Sequence, residues 1–223
     1  MNNVIRHLIR KDIQLNLLPM GLYLMLGLVS LLMLSVEHSI VFYSGMVIML
    51  SVIIIAGVHM VINTITNERT EQVLPFILSL PITFRQYTHA KVMANLGVFL
   101  LFWLIMLGGL LVVIFSQPQV QDGLTVYAVI LLLEMLAVFC LVLAVGLISE
   151  SHAWTIVVIS LTNIGLSIFM FWVASFEGIN QYMQTEQVVW NSTALTFITG
   201  EVVFMVSVLI ITYWIQARKR DFI

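Results

Sequence analysis

The sequence predicts an all-α integral membrane protein with six transmembrane helices, and three observations carry that reading. Mean hydropathy is +1.08, with 61% of the 223 residues hydrophobic and 9% charged. A soluble domain of this composition would expose mostly apolar surface and aggregate. The apolar residues lie in continuous runs, not in the alternating pattern of a membrane β-barrel. The basic residues are confined to one set of loops.

A helix needs about 20 predominantly apolar residues to cross the hydrocarbon core. Six segments qualify: 17–36, 40–66, 92–116, 124–149, 153–176 and 194–217. Glu134 and Glu201 are the only Asp, Glu, Lys or Arg residues within them. No cleavable leader is expected, because the first run is span-length and no small-residue cleavage site follows it. With six spans, all nine Lys and Arg residues fall at the N-terminus, between spans two and three, or at the C-terminus. They are Arg6, Arg10, Lys11, Arg69, Arg85, Lys91, Arg218, Lys219 and Arg220. The opposite loops carry only Glu37, Asp122, Glu177 and Glu186. The positive-inside rule then places both termini in the cytoplasm. A net charge of −2 gives no electrostatic reason to expect a nucleic-acid partner. The single cysteine, Cys140, excludes a disulfide or a cysteine-based metal site within the chain.

Residues 1–16 read as an amphipathic helix lying in the headgroup layer. At 100° per residue, Val4, Ile5, Leu8, Ile9, Ile13 and Leu15 share one half of the wheel. Arg6, His7, Arg10, Lys11 and Gln14 share the other, and Asp12 is the misfit. Pro19 and Gly21 mark the expected bend into span one.

The long loop 67–91 is the most informative segment. Glu68 and Glu71 precede a short apolar stretch, Leu74 to Leu80, in which Pro75 suits a first helical turn. Pro81 discourages its continuation. Thr83 and Gln86 have capping-box spacing, so a new helix is expected from about Phe84 straight into span three, with Arg85 and Lys91 below the membrane. The exposed Leu74, Phe76, Ile77 and Leu78 would need cover from lipid headgroups or from a partner's groove.

Motifs for chemistry are missing. The chain has no Gly-x-x-x-x-Gly-Lys-Ser/Thr phosphate loop, no Gly-x-Ser-x-Gly elbow and no His-Glu-x-x-His zinc site. Its five histidines lack ligand spacing. Any energy source is therefore a partner or an ion gradient, and no enzyme activity is expected of this chain.

Three polar residues inside the spans form a possible intramembrane site: Glu134, Glu201 and His59. A charge at mid-bilayer costs roughly 2.5–3.5 kcal/mol on insertion scales, so Glu134 must face the protein interior, be paired or be protonated. It either contacts a proton or a cationic substrate, or makes a helix–helix hydrogen bond. Glu201 reads as interfacial, near the outer end of span six, and His59 as a satisfied residue between helices. Gly97, Gly108, Gly109, Gly146 and Gly165 permit close helix approach. The outer loop 176–193 mixes aromatic residues with amides and reads as a short interfacial helix or hairpin.

On several of these features the chain resembles the permeases of type-2 exporters of the ATP-binding-cassette superfamily. They are the basic opening Leu8-Ile-Arg-Lys-Asp-Ile13, six spans, the basic tail, and a core between spans two and three. That core comprises Thr70-Glu71, then Leu78-Ser79-Leu80-Pro81, Ile82-Thr83, and Lys91 at the foot of span three. The resemblance implies that loop 67–91 holds a coupling helix that docks on a separate cytoplasmic ATPase. The implied contact residues are Glu68, Arg69, Glu71, Leu74, Phe76, Ile77, Leu78, Pro81 and Arg85. It also implies a second permease chain, identical or similar, with the substrate path between the two. ATP and magnesium would be bound by the ATPase and no cofactor by this chain. The expected location is the plasma (inner) membrane of a bacterium. The alternative is an ATP-independent membrane protein, either a small secondary transporter or a scaffold.

Overall fold

Six helices are long and apolar enough to cross a membrane, and no strand occurs among the described residues. The structure is a computed structural model that describes residues 3–70, 83–118, 120–149 and 151–218; for Asn3, Arg69 and Thr70 it describes the backbone alone. Helix α1 is Asn3–Leu34 and α2 is Ser39–Val61. The latter runs through a π-helical turn, Ile62–Thr66, into the single turn α3, Asn67–Thr70. Then follow α4 (Phe84–Ser116), α5 (Leu124–Ser149), α6 (His152–Ser175), the short α7 (Glu177–Met183) and α8 (Ser192–Arg218).

The N-terminal segment departs from the sequence expectation. Residues expected to form a separate interfacial helix belong to one helix of 32 residues, with Pro19 inside it. Proline removes one backbone donor, a loss the helix tolerates because α1 packs along both α2 and α4. The apolar side of its first turns is not free for headgroups: Ile5 and Leu8 are buried in the protein core, and Val4 and Ile9 pack against it. The buried seam continues through Asp12, Asn16 and Met20 at three- and four-residue spacing. Asp12, the misfit on the apolar wheel, therefore lies on the inward face.

Helix α4 begins as its sequence requires. Thr83 Oγ1 accepts from Gln86 N at 3.2 Å and Gln86 Oε1 from Thr83 N at 3.0 Å, a complete capping box. The resulting 33-residue helix carries the segment from Phe84 into the third apolar run without a break. Helix α5 is central, packing on α2, α4, α6 and α8. In lipid, association rests on close packing and satisfied polar groups, not on release of water. Phe99 of α4 and Phe139 of α5 stack with ring centroids 4.0 Å apart, and Trp103 donates its indole N–H to Leu132 O at 2.6 Å. Small residues allow such approaches. A Cβ on Gly45 would lie 2.9 Å from both Met33 Cβ and Ser30 O of α1. Of the glycines singled out by sequence, Gly109 and Gly146 do face a neighbour (Leu31 and Val61), whereas Gly97, Gly108 and Gly165 face open space.

The first turns of α1 and the end of α8 lie at one end of the bundle. His89 near the start of α4 meets the Tyr213 hydroxyl near the end of α8 at 3.2 Å, and Gln216 donates to Leu147 O at the end of α5. Helix α7 closes the opposite end. Gly123 N donates to Thr185 O at 2.9 Å, and Asn191 caps α8 by accepting from Ala194 N at 2.9 Å while donating to Gly178 O. The loop sits so close to α5 that a Cβ on Gly123 would be 1.8 Å from Tyr182 O. Gly123→Ala must therefore displace backbone. We expect it to lower stability in detergent by about 1–3 kcal/mol, the range for overpacking, measured by thermal unfolding, while Gly97→Ala leaves the transition in place.

Candidate functional site

Two polar constellations stand out, one at each half of the bundle. The first lies at the terminal end and is built around Lys91, which is 0% exposed. Its ammonium is 2.8 Å from Asp12 Oδ2, 3.1 Å from Asp12 Oδ1 and 2.7 Å from Glu68 Oε2, and it donates to Thr64 O at 2.8 Å. Glu68 also pairs with Lys11 and accepts from the Tyr87 hydroxyl at 3.3 Å. Two carboxylates thus balance two ammonium groups. Asp12 is 1% and Glu68 5% exposed, while Lys11 reaches the surface.

Local structure explains how these groups meet. Lys91 lies on the inward side of α4, eight residues after its cap. The π-helical turn Ile62–Thr66 supplies the Thr64 carbonyl, and the chain then runs directly into Glu68. Such wide turns are frequent at functional positions. A neutral layer lies against the charges. Asn95 donates to Lys91 O at 2.9 Å, and Thr64 Oγ1 lies 2.8 Å from Asn95 Oδ1. Asn16 donates to Asp12 O at 2.9 Å and faces Asn63. In a low-dielectric interior such pairing is obligatory, because an isolated ion there costs several kcal/mol.

The sequence placed Lys91 below the membrane and marked Asp12 only as the misfit on the amphipathic wheel; in the structure both are buried in protein, and they join α1 to α4. The signal was present in Asp12, the one charge on an otherwise apolar half-wheel. Of the residues expected to contact an ATPase, Glu68 is in this network and Arg85 is exposed near the start of α4. Glu71, Leu74, Phe76, Ile77, Leu78 and Pro81, and the side chain of Arg69, lie outside the described residues.

The second constellation is a groove of about 570 Å³ toward the opposite end, between α5, α6 and α8. Glu134 and Glu201, expected as separate residues, line it together. Glu201 is 6% exposed, and neither carboxylate oxygen has a hydrogen-bond partner among the described residues. Glu201, expected near the outer end of span six, is enclosed by protein about 14 Å along α8 from Ser192 at 1.5 Å per residue. His59 does not join this groove. It packs edge-on against Tyr23 of α1 with centroids 5.6 Å apart, and its Nε2 has no hydrogen-bond partner among the described residues, against the expectation of a satisfied histidine. No group of three or more His, Cys, Asp or Glu residues that could hold a metal occurs among the described residues.

Comparisons give no relative to lean on: no family model, no curated protein and no solved structure matches this chain.

Removing one member of the buried network exposes its importance. Lys91→Met leaves Asp12 and Glu68 facing each other beside one surface lysine, and we expect a loss of about 3–5 kcal/mol in thermal or denaturant unfolding. Adding Asp12→Asn and Glu68→Gln to that variant should recover most of the loss, since the unpaired charges and not the lost volume cause it.

Proposed function

We propose that this chain is the transmembrane permease subunit of an ATP-driven exporter, coupled through residues 67–91 to a separate cytoplasmic ATPase and working with a second permease chain. The observation that carries the reading is the attachment of that loop. On one side it leaves Glu68, and on the other it leads through the Thr83–Gln86 cap to Lys91, whose ammonium binds both Glu68 and Asp12 of α1. A push on the loop is thus delivered together to α1, to the end of α2 and to α4. The loop's own sequence, with its acidic start, its Leu78-Ser79-Leu80-Pro81 stretch and its apolar residues, suits docking in a partner's groove.

In this reading both termini lie in the cytoplasm of a bacterial cell, where the nine basic residues belong. ATP engagement draws two ATPase subunits together, moves the loop and tilts α1 and α4 as one unit. Shifting an inward–outward equilibrium from 1:99 to 99:1 takes about 5.5 kcal/mol of differential binding, which nucleotide binding to the partner can supply. Helices α6 and α8 bury only 11% and 17% of their most apolar windows, leaving their outer faces for lipid and the second chain.

A second reading, an ATP-independent transporter, draws on the unpaired carboxylates of Glu134 and Glu201. Purification of a tagged chain from its native membrane in mild detergent separates the two. The exporter reading expects a stoichiometric ATPase with a phosphate-loop motif, lost on Glu71→Lys or Ile77→Pro while insertion is retained. A chain that purifies alone, beside a control transporter that stays intact, would establish the ATP-independent reading instead.

A further inference from the structure

The groove between α5, α6 and α8 has three properties that together specify a ligand. The first is a pair of carboxyl groups with no basic partner. Glu134 and Glu201 both face it, Glu201 lies more than nine-tenths buried with both oxygens unpartnered, and no Lys, Arg or His lines it among the described residues. A buried acceptor pair of this kind is costly unless a donor or a cation fills it. The contrast with the Lys91 network, where every carboxylate has its ammonium, makes the missing partner the more conspicuous.

The second property is an aromatic wall. Trp172 and Phe197 meet edge-to-face with centroids 5.3 Å apart, Phe176 lies 5.4 Å from Trp172 and 5.2 Å from Phe197, and Phe169 lies 6.0 Å from Phe197. The faces of such rings carry negative electrostatic potential and attract cations, tryptophan most strongly. The third is size. A volume of about 570 Å³ fits an organic molecule, within the roughly 300–1,000 Å³ of ligand sites. A bare metal ion would need several converging donors at short range, which the groove does not offer. Gly200 also lines the groove, and nothing lies within 4 Å of where its Cβ would be.

We propose that this groove binds a lipophilic organic cation, with the positive centre held between Glu134 and Glu201 and its apolar body against the rings of Trp172, Phe176 and Phe197. Positive charge is specified by the carboxylates and the ring faces, and apolar bulk by the wall and the volume. The inference deepens the exporter reading by naming a class of cargo and rests on it for transport, whereas binding itself needs only this chain.

The test uses the full purified chain in detergent and a pair of ions matched in shape and opposite in charge, tetraphenylphosphonium and tetraphenylborate. Binding is followed by equilibrium dialysis and by quenching of tryptophan fluorescence. Saturable binding of tetraphenylphosphonium is expected, with no saturable binding of tetraphenylborate. Glu201→Gln should weaken it by at least about tenfold through loss of charge. Gly200→Leu should weaken it similarly by filling the groove, with both carboxylates intact. If Glu201→Gln does not fold, Glu134→Gln, at a half-buried position, takes its place beside Gly200→Leu. The proposal is overturned if the wild-type chain shows no saturable uptake of the cation, if the anion binds as well, or if the charge and steric variants both bind like wild type. Failure here is distinct from failure of the exporter reading. A chain that co-purifies with an ATPase yet ignores the cation loses only the groove assignment, and one that binds the cation but purifies alone loses only the ATPase.

Discussion

An ammonium group closed off from solvent governs the terminal end of this bundle. Lys91 is 0% exposed, and a charge in that position survives only with opposite charge and hydrogen-bond acceptors arranged around it. Asp12, Glu68 and the Thr64 carbonyl provide them from three different segments. The register of α1 against α4 and the path of the chain after α2 follow from this requirement. A slip of α1 by one residue would rotate Asp12 by 100° and leave Lys91 with Glu68 and the Thr64 carbonyl but without its Asp12 carboxylate.

The same requirement gives the network a mechanical meaning. Hydrophobic contacts in a membrane are weakly directional, and lipid can replace them on either side of a moving helix. Ion pairs with short, multiple hydrogen bonds have few alternative geometries. They fix the two flanks of loop 71–82 to each other and to α1, while α6 and α8 are far less enclosed. The molecule thus combines a tightly bound end, where the loop attaches, with loosely packed helices around the groove. This division suits the proposed coupling, because a bundle bound equally throughout would resist a push and one bound nowhere would absorb it.

The two polar constellations also differ in how complete they are. In the Lys91 network both carboxylates, Asp12 and Glu68, are matched within the chain. In the groove the carboxylates meet aromatic rings and a void instead of cations. A buried polar group without a partner is costly unless a ligand or a proton satisfies it. The first network is complete within the chain, and the second leaves carboxyl oxygens open to a ligand, as the proposed cation binding requires.

Composition and run length by themselves determined the class of the molecule. Six membrane-length helices and the capped start at Phe84 were legible, because spans depend on local hydropathy and caps on residues three apart; for 176–193 the sequence left a helix or a hairpin open. The continuity of α1 through Pro19 was not legible, since local rules treat the proline as a bend and only packing on α2 and α4 keeps the helix whole. Nor could the sequence pair Lys91 with Asp12, which stand 79 residues apart, or bring Glu134 and Glu201 to one groove. Hydropathy reports whether a residue tolerates lipid or water one position at a time. Which charges neutralise each other, and which are left facing a cavity, is decided by how the helices turn toward one another, and that rotation is fixed only when all of them pack together.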